Sequence, residues 1–300
     1  MNTQKLKQLA AKKGLNISES SIKLNKSGVD FQVAYATDQQ GDQWILRLPR
    51  RPESMRHATK EKKALEIIQS QASFEVPHWQ IFSDELIVYK QLKGQPAATI
   101  DLENQQYIWN FDETNVPTAY YQSLGKALAN LHALPQNSFH KIEVETLHPS
   151  ELRTSMKKRM DRVNSQYEIN PARWERWQAW LADDSIWPSH VGIKHGDLHP
   201  GHLIINNQHH VTAIIDWTEV GIGDVSVDFL SHQLLFGKEG LARLIDAYDN
   251  AGGRTWSRMD EHIVELLTTS GITVAEYAEV TGLQEMRETA KYMFWEDDKA

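Results

Sequence analysis

Cysteine is absent from the 300-residue chain. Disulfides, thiolate metal sites and cysteine nucleophiles are therefore excluded, and a reducing compartment, the cytoplasm, is the expected location. Long apolar runs are missing too: nothing approaches the roughly 18 residues of a membrane span. The first residues, Met1 to Gly14, carry Lys5, Lys7, Lys12 and Lys13 without the apolar core of a secretory signal, and read as an amphipathic helix stopped by Gly14. Positive charge is the scarcer sign, with Lys and Arg numbering 32 against 40 Asp and Glu, a net charge of -8. Such a surface repels a phosphate backbone, which argues against general nucleic-acid binding, and attracts a cationic substrate. There is no Gly-x-x-x-x-Gly-Lys-Ser/Thr phosphate loop and no Gly-x-Ser-x-Gly nucleophile elbow, and Gly221-Ile222-Gly223 alone is too short for a dinucleotide site. The chain holds no internal repeat and no low-complexity tract.

What is present divides into two parts. Strand-like pieces at Ser21–Leu24, Phe31–Thr37 and Gln43–Leu48 are punctuated by Asp38-Gln39-Gln40-Gly41-Asp42, a hairpin composition, and end at Pro49 and Pro52. A helix is expected from about Thr59 to Ser70, where Ala64, Leu65 and Ile68 share a face, followed by strands at Val76–Phe82 and Glu85–Leu92. Beyond a hinge at Lys93-Gly94-Gln95-Pro96 the character turns helical. Tyr121, Leu124, Leu128 and Leu131 form one stripe, and Trp174, Trp177 and Leu181 form another behind Pro171. A short β-rich stretch at His202–Ile205 and Val211–Asp216 interrupts the helices, which resume at Asp224–Phe236, Glu239–Asn250, Arg258–Thr268 and Leu283–Trp295. The expected architecture is α+β, with a small mainly β N-terminal lobe over residues 1–93 and a larger mainly α C-terminal lobe over 94–300, a kinase-like division.

The chemistry is concentrated in Lys194-His195-Gly196-Asp197-Leu198-His199-Pro200-Gly201-His202 and in Ile215-Asp216-Trp217. Phosphoryl transfer needs the metal-bound nucleotide held still and an acid that orients the acceptor hydroxyl and takes its proton. Asp197, between a glycine and a turn, is the candidate for that acid. Asp216, at a strand end, is the candidate magnesium ligand. Either aspartate alone could be a turn former; the pair in this setting points to a kinase. His202 stands where a kinase catalytic loop usually carries a metal-contacting asparagine, although imidazole is a poor ligand for a hard ion. It therefore binds metal weakly, contacts a phosphate or metal-bound water, or merely packs. The histidine-rich loop also invites a zinc reading, which Gly196, Pro200 and Gly201 disfavour by preventing the helix that such a motif needs. His195 reads as a loop brace bonding backbone.

In the N-terminal part, Asn25 to Asp30, with Ser27 and Gly28, has a composition that can fold over phosphates. Arg47 is the cation expected on the α- and β-phosphates, oriented by Glu61 unless Glu61 is only part of a solvated face. The backbone around Tyr89 to Leu92 is the expected base-binding segment. Asp224 reads as a helix N-cap, whereas Asp228, flanked by Val227 and Phe229, reads as a carboxylate buried against backbone donors of the catalytic loop.

These motifs together resemble the aminoglycoside phosphotransferase and choline kinase superfamily, which shares the protein-kinase fold. More narrowly, Trp44-Ile45-Leu46-Arg47-Leu48-Pro49-Arg50-Arg51, Trp174 to Ser185, His199-Pro200-Gly201-His202, Ile215-Asp216-Trp217-Thr218-Glu219 and Phe236-Gly237-Lys238-Glu239-Gly240-Leu241 resemble the macrolide 2′-phosphotransferases. The resemblance implies transfer of a γ-phosphate, from GTP or else ATP with Mg2+, to the 2′-hydroxyl of a macrolide amino sugar, giving antibiotic resistance. It implies Asp197 as base, His202 and Asp216 toward the metal, and Arg47 with Glu61 toward the nucleotide. A macrolide pairs an apolar ring with a cationic sugar, so its groove should be apolar with an acid nearby. Asp197 and Asp228 are the candidate acids, and Val274 and Tyr277, on Ile272 to Leu283, are a candidate wall; that segment would equally suit a helix packed on the core. A monomer is expected. The competing readings are a kinase for another small alcohol, such as an aminoglycoside or a choline-like metabolite, and an inactive kinase fold used for binding.

Overall fold

The computed structural model describes residues 2–25, 30–101, 104 and 106–295. Ser27 and Gly28 lie outside the described residues. In chain order the elements are α1 (Thr3–Lys12), β1 (Lys23–Asn25), β2 (Phe31–Thr37), β3 (Gln43–Pro49), α2 (Pro52–Gln71), β4 (Trp79–Ser83), β5 (Leu86–Lys90), β6 (Gln95–Pro96), β7 (Ala98–Asp101) and β8 (Gln106–Trp109). Then come α3 (Thr118–His132), β9 (Glu145–Thr146), α4 (Pro149–Asn164), α5 (Pro171–Ala182), β10 (Gly192–Lys194), β11 (Leu203–Ile205), β12 (Val211–Ile214) and β13 (Gly221–Gly223). The helices α6 (Leu230–Asn250), α7 (Met259–Thr268), α8 (Ser270–Thr281) and α9 (Gln284–Trp295) follow.

The chain forms two compact units. The first comprises Met1–Tyr120, Asn137–Val144 and Gly201–Val220; the second comprises Tyr121–Gln136, Glu145–Pro200 and Gly221–Ala300. The expected cut at Lys93 falls inside the first unit, because β6 directly after it pairs with β11, Ile204 opposite Pro96 and Ile205 opposite Gln95. Those backbone bonds hold the supposed hinge and the residues beyond it to the same packing unit.

In the first unit an antiparallel sheet runs β1-β2-β3-β5-β4. Its pleat separates two faces with period two. Ala34, Ala36, Leu46, Leu48, Leu86 and Val88 share one face and pack with Leu6 and Ala10 of α1. In register on the other face stand Val33, Arg47 and Ile87, and next to them Tyr35, Ile45, Tyr89 and Trp79. This is why β3 is buried along nearly its whole length, including Arg47. α2 starts at Pro52, two turns earlier than the apolar spacing suggests, with proline in the first helical turn where its missing N–H costs nothing. A second small sheet, β12-β11-β6, carries the strand pair on either side of the turn at Asn206.

The second unit is mainly helical around Met156, Met160, Trp177, Trp180, Ile272, Ala275 and Phe294. α4 was not apparent as a helix in the sequence: its buried residues, Leu152, Met156, Met160 and Val163, are outnumbered by charges on the outer face. Asp224 to Phe236 is not one helix. Val225–Phe229 is a 3-10 turn, and α6 starts at Leu230 and continues to Asn250 through a non-helical Gly237 at φ 63°. β10 of the small sheet β10-β13-β9 leads directly into the His195-Gly196-Asp197 loop.

Candidate active site

In the first unit, β3 and α2 bring Arg47 and Glu61 together, resolving the open choice for Glu61 in favour of the buried pair. Arg47 Nη1 donates to both Glu61 oxygens at 2.9 Å. The guanidinium also lies 4.4 Å from the Phe31 ring centroid and 5.4 Å from that of Trp79. Burial works against its charge, but Glu61, Tyr89 and Asp216 together hold its pKa above the ordinary value. Burial pushes the Glu61 carboxyl up, and Asp216 adds to this, while Arg47 and the Trp217 backbone N–H oppose it. Glu61 thus bridges the cation on β3 and the segment that carries Asp216. Burial also pushes the Tyr89 hydroxyl up, so that it stays neutral beside this cluster. Leu92 follows it, half-buried.

Asp216 leaves β12 with φ 63°, in the left-handed region that non-glycine residues rarely occupy. Its backbone is fixed on both sides: Ile215 N–H donates to His202 O at 3.0 Å, and Trp217, fully buried, donates Nε1 to Ile214 O at 3.0 Å and stacks on Phe74. Thr218 Oγ1 donates to Asp216 Oδ1. The side chain remains 43% exposed, with His202 Nε2 at 3.7 Å from Oδ2. An exposed carboxylate held in an uncommon backbone conformation suits a hard divalent ion such as Mg2+. His202, an imidazole with its nitrogen toward the carboxylate, suits orienting Asp216 better than ligating Mg2+.

The second unit carries the His195-Gly196-Asp197 loop. The loop after β10 places His195 inside, at 0% exposure, and Asp197 outside. Gly196 turns between them at φ 89°, which favours glycine. Asp197 N–H donates to His195 Nδ1 at 3.3 Å, the brace expected of that histidine. Asp228 completes the loop: His195 N–H and Gly196 N–H donate to Oδ2 and Oδ1, each at 2.8 Å. With Asp228 only 2% exposed, burial disfavours its charge, but His132 and the loop amides outweigh burial and hold the carboxyl below the usual range.

This geometry corrects one substrate assignment. Asp228 cannot serve as a substrate contact, since it is buried with both oxygens already accepting. Val274 packs against the core of the second unit, while Tyr277 is 36% exposed. The neighbouring acid Glu276 is occupied by Arg159 and Arg162 at 2.7 and 2.6 Å. Asp224 does cap the following turn, accepting from Ser226 N–H at 2.9 Å, but it also pairs with buried His262 at 2.7 Å. His132, Tyr248 and His262 had no signal in the sequence, because each reads as a member of a helix.

A family model described as the phosphotransferase enzyme family matches residues 21–262. The chain belongs to that family, and it is a small-molecule kinase with the kinase-like fold of such enzymes. A curated relative, "Uncharacterized protein YcbJ" of Bacillus subtilis (strain 168), is 39% identical over 277 residues, covering 92% of this chain and 90% of its own. Among solved structures, the apoenzyme of macrolide 2′-phosphotransferase MphH from Brachybacterium faecium matches with TM-score 0.91 at 33% identity, over 99% of this chain and 100% of that one. A macrolide 2′-phosphotransferase type I matches with TM-score 0.90 at 34% identity, over 99% and 97%. The GDP complex of wild-type aminoglycoside 2′-phosphotransferase-IIIa shares the fold, with TM-score 0.77 at 16% identity over 98% and 97%.

Proposed function

We propose that the protein transfers the γ-phosphate of a purine nucleoside triphosphate, GTP in preference to ATP, to the 2′-hydroxyl of a macrolide amino sugar, and thereby confers macrolide resistance. The carrying observation is a contrast in relatedness: two macrolide 2′-phosphotransferases align over nearly the whole chain at 33% and 34% identity, against 16% for the aminoglycoside enzyme. Asp197 accepts the hydroxyl proton as the acceptor oxygen bonds to the γ-phosphorus and the bond to the β–γ bridging oxygen breaks, releasing the nucleoside diphosphate. Its exposure, on a loop fixed from beneath, supports that role.

Asp216 would hold Mg2+, which when bound neutralises charge on the β- and γ-phosphate oxygens. His202 orients that carboxylate. Arg47, aligned by Glu61, neutralises the α- and β-phosphates, and the chain from Tyr89 to Leu92 takes the base. In functional terms, residues 1–93 hold the nucleotide and 94–300 supply the catalytic loop and the acceptor groove, with the exposed ring of Tyr277 on its wall. The working form is a cytoplasmic monomer; among the described residues no helix is long and apolar enough to cross a membrane.

The test is an acceptor panel. Purified protein is offered GTP or ATP with Mg2+ and an erythromycin-like macrolide, kanamycin or choline, and nucleoside diphosphate release is followed with product analysis. Phosphorylated macrolide, formed faster with GTP, is expected. Turnover of kanamycin or choline with none of the macrolide would overturn the acceptor assignment, and nucleotide binding with no transfer to any acceptor would favour a binding protein.

A further inference from the structure

The catalytic loop of the second unit rests on Asp228, and behind Asp228 stands a further layer. His132, the last residue of α3, approaches Asp228 Oδ2 with Nε2 at 3.1 Å and the Tyr248 hydroxyl with Nδ1 at 3.0 Å. An ionised carboxylate only accepts, so Nε2 carries the hydrogen, and in the neutral ring Nδ1 is left as an acceptor that needs a donor. Tyr248, on α6, is that donor. Burial pushes its hydroxyl up to about 12, so it keeps its proton, and the backbone N–H of Arg254 engages its oxygen.

The Tyr248 ring is held in place with little freedom. A Cβ at Gly253 would stand 2.4 Å from the ring, and a Cβ at Gly125 would stand 2.6 Å from the Ala247 carbonyl carbon and 2.7 Å from Tyr248 N. Close approach of α3 and α6 thus requires glycine at 125, and the turn after α6 lies flat against the ring because residue 253 has no side chain. Phe229 and His132 each pack edge-on against the Tyr248 ring, with centroids 5.3 and 5.4 Å away. Without the hydroxyl, Nδ1 would be buried with no partner. Moving the ring hydrogen to Nδ1 would turn an Nε2 lone pair toward the Asp228 carboxylate, loosening its hold on the His195 and Gly196 amides.

We propose that Tyr248 is a positioning residue for phosphoryl transfer: its hydroxyl fixes the His132 tautomer, His132 fixes Asp228, and Asp228 fixes the two amides from which Asp197 projects. This rests on Asp197 being the base. Tyr248→Phe, which removes one oxygen and keeps the ring, is the test. It is read by hydrogen exchange of the His195 and Gly196 amides, by 15N chemical shifts of the His132 ring, and by kcat and nucleotide KM.

The variant should exchange those two amides faster, lose the Nε2–H tautomer signature, and show kcat reduced roughly tenfold, the scale of one lost hydrogen bond, at unchanged nucleotide KM. Unaltered exchange and ring shifts would overturn the relay. Faster exchange with unchanged kcat, or a rise in KM alone, would reduce Tyr248 to a structural residue and overturn the positioning role. Should the variant fail to fold, the 15N pattern of His132 in the wild-type protein decides: a ring without hydrogen on Nε2, or with hydrogen on Nδ1, overturns the relay. If the wild type transfers phosphate to no acceptor, the phosphotransferase reading falls, whereas exchange and ring shifts still judge the relay by themselves.

Discussion

Arg47 and Glu61 form an ion pair with almost no access to water: one guanidinium nitrogen sits 2.9 Å from both carboxylate oxygens, with Glu61 fully buried and Arg47 8% exposed. A pair like this adds little stability over apolar residues of the same size, but removing one partner strands a buried charge. Its value lies in placement, since Glu61 also accepts from Trp217 N–H beside Asp216.

Arg47→Ala should therefore destabilise the fold by about 3–5 kcal/mol, seen as a lowered denaturant midpoint. It should also raise the nucleotide KM. A variant that binds nucleotide normally would remove Arg47 from the phosphate site.

Asp197 is exposed, so its loss should cost activity rather than stability. Asp197→Asn is expected to lower kcat by about 10²–10⁴-fold, the range for a lost general base, with Tm and nucleotide affinity by calorimetry unchanged. Retained turnover would point to another base.

His232 gives a pH dependence with a definite sign. Burial, opposed by the Gly240 backbone, depresses its pKa to about 3, against 6.5 for the free side chain. Between these values the unfolded chain binds a proton that the folded one refuses, so the stability contributed by the neutral ring is complete above pH 6.5 and is lost as the pH falls toward 3. The slope reaches about 1.4 kcal/mol per pH unit. Urea unfolding at stepped pH should show it, and His232→Gln should flatten the curve across that window.

Gly125→Ala should destabilise by about 1–3 kcal/mol through overpacking, because the new Cβ would meet the Ala247 and Tyr248 backbone. Thermal unfolding measures this. A neutral result would mean that α3 and α6 can separate without cost.

Local punctuation made much of the scaffold legible. Asp38 to Asp42 marks the hairpin between β2 and β3, and Pro171 marks the first turn of α5. Where one signal masked another, it failed. The charges of α4 hid an apolar stripe, and the helices expected to end at Phe236 and to start at Glu239 are joined in α6 through a single non-helical residue, Gly237. For the site, Asp228 was legible as buried because a carboxylate between Val227 and Phe229 has to find donors. Its partner His132 lies 96 residues away, and no periodicity encodes that distance.

The sequence alone determined the kinds of chemistry available: no thiol, an aspartate in a Gly- and Pro-restricted turn, and a second aspartate at the end of an apolar strand. These are short-range facts, fixed by backbone sterics and residue type. Only the tertiary structure decided the surroundings of each carboxylate, leaving Asp197 exposed, burying Asp228 beneath it, pairing Asp224 with His262 and holding Asp216 at a positive φ. The reason is that a carboxylate's charge and accessibility depend on the donors and dielectric around it, and those come from segments that meet only when the chain folds.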